Sequence, residues 1–146
     1  MDTILRGSIA GLISSSIYAV VSWIIFALRI LPYTPMHYNA IFITPPETPF
    51  TGPLPIALGT LALLITGMLV GVVITLITHF SGSNLAWFKG AAVGAVLWPV
   101  HSKIIPAIDP EIFKAFPLSM VFATLIFSTL WGLVTGLILR YLPSRD

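Results

Sequence analysis

The stretch Gly90-Ala-Ala-Val-Gly94 decides how this chain is read. Its Gly-x-x-x-Gly spacing recurs once in each of the other long apolar segments, as Gly7/Gly11, Gly67/Gly71 and Gly132/Gly136, so eight of the eleven glycines fall in such pairs. On a helix, positions i and i+4 share a face. Two glycines there remove the side chains from that face, so a second backbone can approach closely and gain packing that lipid tails do not supply. The pattern predicts an all-α integral membrane protein: a four-transmembrane-helix bundle with GxxxG-type close packing in every helix.

Composition points the same way. Of 146 residues, 57% are hydrophobic and 8% charged, with mean hydropathy +1.00, whereas about a quarter of the residues in a soluble domain are charged. Seven Lys/Arg against five Asp/Glu give a net charge of +2. These charges sit singly at segment ends, which argues against a nucleic-acid partner and leaves membrane lipids as the surroundings. With no cysteine, disulfides, thiolate metal sites and CxxC redox chemistry are ruled out.

Outward from Gly90, the chain reads as a single membrane domain over residues 1–146, with spans at about 4–29, 55–80, 85–105 and 118–141 and a proline-rich loop at 30–54. Each span has roughly the 20 apolar residues needed to cross about 30 Å of hydrocarbon. The first is too long for a signal-peptide core and reads as uncleaved. Pro32, Pro35, Pro45, Pro46, Pro49, Pro53 and Pro55 break up the loop. Within it, Met36–Ile43 suits a short interfacial helix that turns Tyr38, Ile41 and Phe42 toward headgroups. Pro99 predicts a kink or an early end to the third span.

Four spans put both termini on one side, with Arg6, Lys89, Arg140 and Arg145; Arg29, Lys103 and Lys114 lie on the other. The excess places the termini in the cytoplasm. At about 1.5 Å per residue, three of the glycine pairs lie within roughly 4 to 14 Å of the termini's interface. The bundle is therefore expected to be narrowest at that end.

Candidate chemistry is sparse. His79 and His101 end opposite sides of the membrane, roughly 24 Å apart, and cannot share a haem. His37 and His101 share a side with Glu47, Asp109 and Glu111, but without H-x-x-x-H or Glu-x-x-His spacing they read as interfacial histidines, and no metal or cofactor is expected. No Asp or Glu falls inside a span, which argues against a proton-coupled exporter. Ser14, Ser15, Ser16, Thr66, Thr75, Thr124 and Ser128 read as helix-contact residues, with a wet pathway as the other reading. Trp98-Pro-Val-His101-Ser-Lys103 combines an indole, a kink, an imidazole and an amine at one helix end. With Arg29 at similar depth, it is either a site for a headgroup or anionic ligand, or an aromatic belt with a snorkelling lysine. No G-x-S-x-G, H-E-x-x-H or phosphate loop occurs, and the chain reads as no enzyme.

Gly7-x-x-Ala10-Gly11-Leu12, Trp87, Gly90-x-x-x-Gly94-x-x-Leu97-Trp98 and Trp131-Gly132-x-x-x-Gly136 carry a resemblance over nearly the whole chain. In these motifs the protein resembles the YqhR-like small four-span membrane proteins of spore-forming bacteria. That resemblance implies a bacterial inner-membrane location. The expected function is a non-enzymatic interaction, accessory or structural component, with another membrane protein or a second copy as candidate partner; a glycine face left over after packing would serve self-association, whereas four faces that satisfy one another as two pairs would not require it. The alternative is a small-solute or lipid transporter or channel entered near Trp98, His101 and Lys103.

Overall fold

The computed structural model describes residues 2–45, 47–100, 102, 107 and 118–143. Among them the regular structure is helical: α1 (Thr3–Ala27), α2 (Pro35–Ile43), α3 (Pro53–Ser81), α4 (Ala86–Pro99) and α5 (Leu118–Tyr141). Helices α1, α3 and α5 are long and apolar enough to cross a membrane. The chain is thus an all-α, multi-pass membrane protein. The 14 described residues of α4 reach about 21 Å. The rest of the expected third span, to residue 105, falls largely outside the described residues, as do Asp109, Glu111 and Lys114.

Side chains are distributed inside out. Ser14, Ser15, Thr75 and Thr135 are at most 1% exposed, while Val20, Leu69, Val96 and Phe122 are more than half exposed. In water such a surface would be an aggregation liability; in a bilayer it is the face that lipid solvates.

The helices associate as two antiparallel pairs. In the first, Gly7 lies against Gly71 and Val72, and Gly11 against Gly67 and Met68, so α1 and α3 meet backbone to backbone. In the second, Gly90 lies against Gly132, and Gly94 against Ser128, while Gly136 faces Ala86 of α4. A Cβ on any of these eight glycines would collide with the partner helix, in most cases with its backbone. Each pair thus uses the glycine faces of both its helices.

The proline-rich segment 30–54 differs from a plain loop. Pro35 stands in the first turn of α2, where a missing N–H costs nothing. The Thr34 and His37 side chains close a capping box around that turn. The helix then packs inward: Met36, His37 and Ala40 are buried, and Gly59 of α3 meets the Met36 carbonyl. Of the residues expected to face headgroups, Phe42 is exposed, whereas Tyr38 and Ile41 are half-buried. The connection to α4 is short, with Gly82 at φ 85° and Leu85 at φ 57° turning the chain.

Candidate functional site: a polar seam between two helix pairs

Helix α1 presents two adjacent rows. Gly7, Gly11 and Ser15 face α3, while the stride-of-four row Arg6, Ala10, Ser14, Tyr18 and Ser22 is one position out of phase with them. Much of that second row meets α5. The Arg6 Nη2 donates to the Leu139 carbonyl. Ser14 Oγ lies 2.7 Å from Thr135 Oγ1, and the Tyr18 ring stacks on Trp131 at a centroid distance of 5.9 Å. Trp131 in turn donates its indole N–H to Ser15 Oγ at 3.1 Å. The two pairs are therefore joined through hydroxyls, an indole and a guanidinium, together with a buried apolar cluster of Ala10, Val70, Ile74, Trp131 and Leu139.

At the end that carries the termini, the seam opens into a vestibule of about 990 Å³, bounded by α1, α3, α4 and α5. The structure places this open space between the pairs at the end where the bundle was expected to be narrowest. The glycine faces are spent within pairs, and the pairs are linked here through Arg6 and the Leu139 carbonyl. Arg6, Arg140, His79, Asn84, Thr75 and Thr78 supply polar lining, with Trp87 and Tyr141 at the rim, and no carboxylate lines the vestibule among the described residues. The Thr75 hydroxyl is committed to the Gly71 carbonyl and that of Thr78 to the Thr75 carbonyl. Arg6 Nε is buried without a hydrogen-bond partner among the described residues.

Above the Ser14–Thr135 contact, a second cavity of about 80 Å³ lies between α1, α3, α5 and the segment leading into α2. It is lined mainly by apolar and aromatic groups, with Ser22, Thr124 and Ser128 among them. Ser22 is 6% exposed, and its hydroxyl has no hydrogen-bond partner among the described residues.

His37 closes the loop side. The Thr34 backbone N–H, which can only donate, reaches His37 Nδ1 at 3.1 Å, so Nδ1 is unprotonated and the ring proton sits on Nε2. The rings of Trp23, Phe26, Tyr33 and Phe50 surround the imidazole at centroid distances from 5.2 to 6.5 Å. Burial pushes its pKa below the ordinary histidine range. The reading of His37 as an interfacial histidine is therefore corrected: it is a buried, neutral capping residue.

The loop-side ligand site expected from sequence is placed only in part. Trp98 donates its indole N–H to the Val121 carbonyl at 2.9 Å, tacking α4 to α5. Arg29 is exposed beyond the end of α1 with φ 57°. No described hydrogen bond or ring contact joins it to Trp98, and His101 and Lys103 lie outside the described residues. His79, read as an interfacial residue, lines the vestibule. Among the described residues no cluster of His, Asp and Glu could hold a metal ion.

Sequence reading missed the seam, although its signal was present. Starting from the glycines led to the 7–11–15 row; starting from Arg6, the only charged residue in α1, gives the 6–10–14–18–22 row directly. Comparison with protein families, with curated proteins and with solved structures finds no match to this chain.

Proposed function

We propose that this chain is a non-enzymatic, four-span protein of the bacterial inner membrane with cytoplasmic termini, and that it serves as an accessory component holding a membrane-derived ligand between two helix pairs. The observation that carries this reading is the contrast in packing. Within each pair the backbones touch at glycines; between the pairs there are side-chain contacts only, a few hydroxyls and a small apolar cluster, with a cavity at either end. A joint of that kind admits a guest at the smallest loss of packing. In this reading α4 belongs to the remaining span, and the GxxxG faces serve to close the bundle. The resemblance to YqhR-like proteins supports the location. Self-association, where it occurs, uses the outer apolar faces, because all eight paired glycines have partners within the chain.

The cysteine-free sequence makes single-cysteine labelling a direct test. Thr78→Cys is expected to react with a membrane-impermeant maleimide added on the side of the termini, and lipid-facing Leu69→Cys to stay unlabelled. Tags on the two termini are expected on the same face. Tags on opposite faces, or a Thr78→Cys closed to the reagent, would reject the reading.

Transport is the second reading, favoured by one observation. Vestibule and cavity approach the seam from opposite ends, with the Ser14–Thr135 and Ser15–Trp131 contacts between them. A solute would have to part those contacts. Reconstituted vesicles in which Ser14→Cys is labelled from either side at different times would support it; a residue never labelled from the loop side would not.

A further inference from the structure

We propose that the vestibule at the terminal end is a binding site for a phosphoryl anion, the headgroup of an acidic phospholipid in that leaflet being the form closest at hand. The inference rests on the ligand-holding function proposed above and names the ligand's chemistry.

Three observations converge. Arg6 and Arg140 both line the vestibule, and no carboxylate among the described residues lines it with them. A guanidinium carries five N–H donors in a planar fork that matches phosphate oxygens. Arg6 spends one on the Leu139 carbonyl, which fixes the side chain and leaves further guanidinium N–H groups to donate. A cation held in place with donors to spare, lining the same space as a second cation, is a donor set that an anion completes.

The rest of the lining fits an amphiphile. Asn84 and His79 add further polar groups, and Trp87 and Tyr141 stand where aromatic rings anchor at the headgroup level. Lys89 donates to the Ser81 and Gly82 carbonyls at 3.0 and 2.6 Å, pinning the turn that forms one wall of the mouth. At about 990 Å³ the space is large enough for a headgroup with its glycerol.

The full chain, purified in mild detergent, is titrated with phosphatidylglycerol and, separately, with diacylglycerol, which has the chains but no phosphoryl group. Binding is read by native mass spectrometry. Phosphatidylglycerol is expected to bind at one equivalent and diacylglycerol not. The Arg6→Gln/Arg140→Gln double variant is expected to weaken phosphatidylglycerol binding by at least about tenfold, since hydrogen bonds to charged groups are lost. Arg29→Gln, at the opposite end, is expected to leave it unchanged, and Arg140→Lys to retain part of it. Displacement of the lipid by inorganic phosphate would assign the site to the phosphoryl group alone. Retention against phosphate would assign it to headgroup and chains together; both uphold the site. Equal binding of diacylglycerol, or undiminished binding by a double variant whose melting temperature matches the parent, overturns the proposal. Thr78→Cys labelling on the same preparations separates the two failures: a vestibule that labels but takes no phosphoryl ligand rejects this inference and leaves the accessory role standing.

Discussion

Ser14 on α1 and Thr135 on α5 meet hydroxyl to hydroxyl at 2.7 Å, both essentially inaccessible to solvent. Each also lies within reach of a carbonyl of its own helix, Ser14 of Gly11 at 3.0 Å and Thr135 of Trp131 at 2.9 Å. One proton per hydroxyl cannot serve both acceptors, so one residue donates across the seam and the other along its helix. The pairs are thus joined by a contact that can rotate away without leaving a carbonyl bare. A double-mutant cycle with Ser14→Ala and Thr135→Val, read by unfolding in mixed micelles, is expected to give a coupling of about 0.6 to 1.7 kcal/mol.

Inside the pairs there is no such slack. Gly11→Ala and Gly94→Ala each drive a methyl into a carbonyl of the facing helix. The same assay should find each destabilising by about 1–3 kcal/mol, the usual cost of overpacking. Ala92, exposed on the outer face of α4, is the comparison: Ala92→Leu is expected to stay within about 0.5 kcal/mol. An equal effect at all three positions would mean that the glycine faces are not where the backbones meet.

The α2 end of the molecule should weaken in acid. His37 has a lowered pKa in the folded chain, caused by burial, so the unfolded chain binds more protons between that value and about 6.5. The stability it lends is complete above about pH 6.5, is lost as pH falls through the folded pKa, and then levels off. Trp23 lies 5.7 Å from the imidazole, ring centre to ring centre. Indole fluorescence, or hydrogen exchange over residues 34–44, should report the loosening, and His37→Gln should abolish its pH dependence.

Arg29 occupies a position that suits glycine. The Ile30 N–H bonds the Ile25 carbonyl and the Arg29 N–H that of Phe26, the paired bonds that end a helix with a left-handed residue between them. Arg29 is that residue, at φ 57°. Arg29→Gly is expected to stabilise the chain by about 1 kcal/mol, measured by thermal unfolding. A loss of stability would show that its guanidinium is held by a partner strong enough to outweigh the backbone strain.

How much of this could be read from residues alone follows from what each pattern fixes. Long uncharged runs fix helices, and α1, α3 and α5 lie within about two residues of the expected spans. Glycines four apart reveal a bare face but not its partner, because any bare face can receive any other. Hydroxyls are more ambiguous still. Ser16 and Thr60 bond the carbonyl four residues back on their own helices, whereas Ser14 crosses to α5, and the local sequence looks alike. The short helix expected at Met36–Ile43 is α2, but its inward packing was hidden, since the capping box that starts it becomes legible only when Thr34 and His37 are considered together. Arg6, seen only as a charge to be counted for orientation, turned out to be the residue that ties α1 to the end of α5.

The separation into two antiparallel pairs also sets an order of events during synthesis. Helix α1 emerges first, yet the glycine face that matches it belongs to α3, which follows only after the whole segment containing α2. Until then that face has lipid or the insertion machinery for company. The first pair is thus complete in sequence before α5 has been made, and it is α5 of the second pair that meets Ser14 and Tyr18.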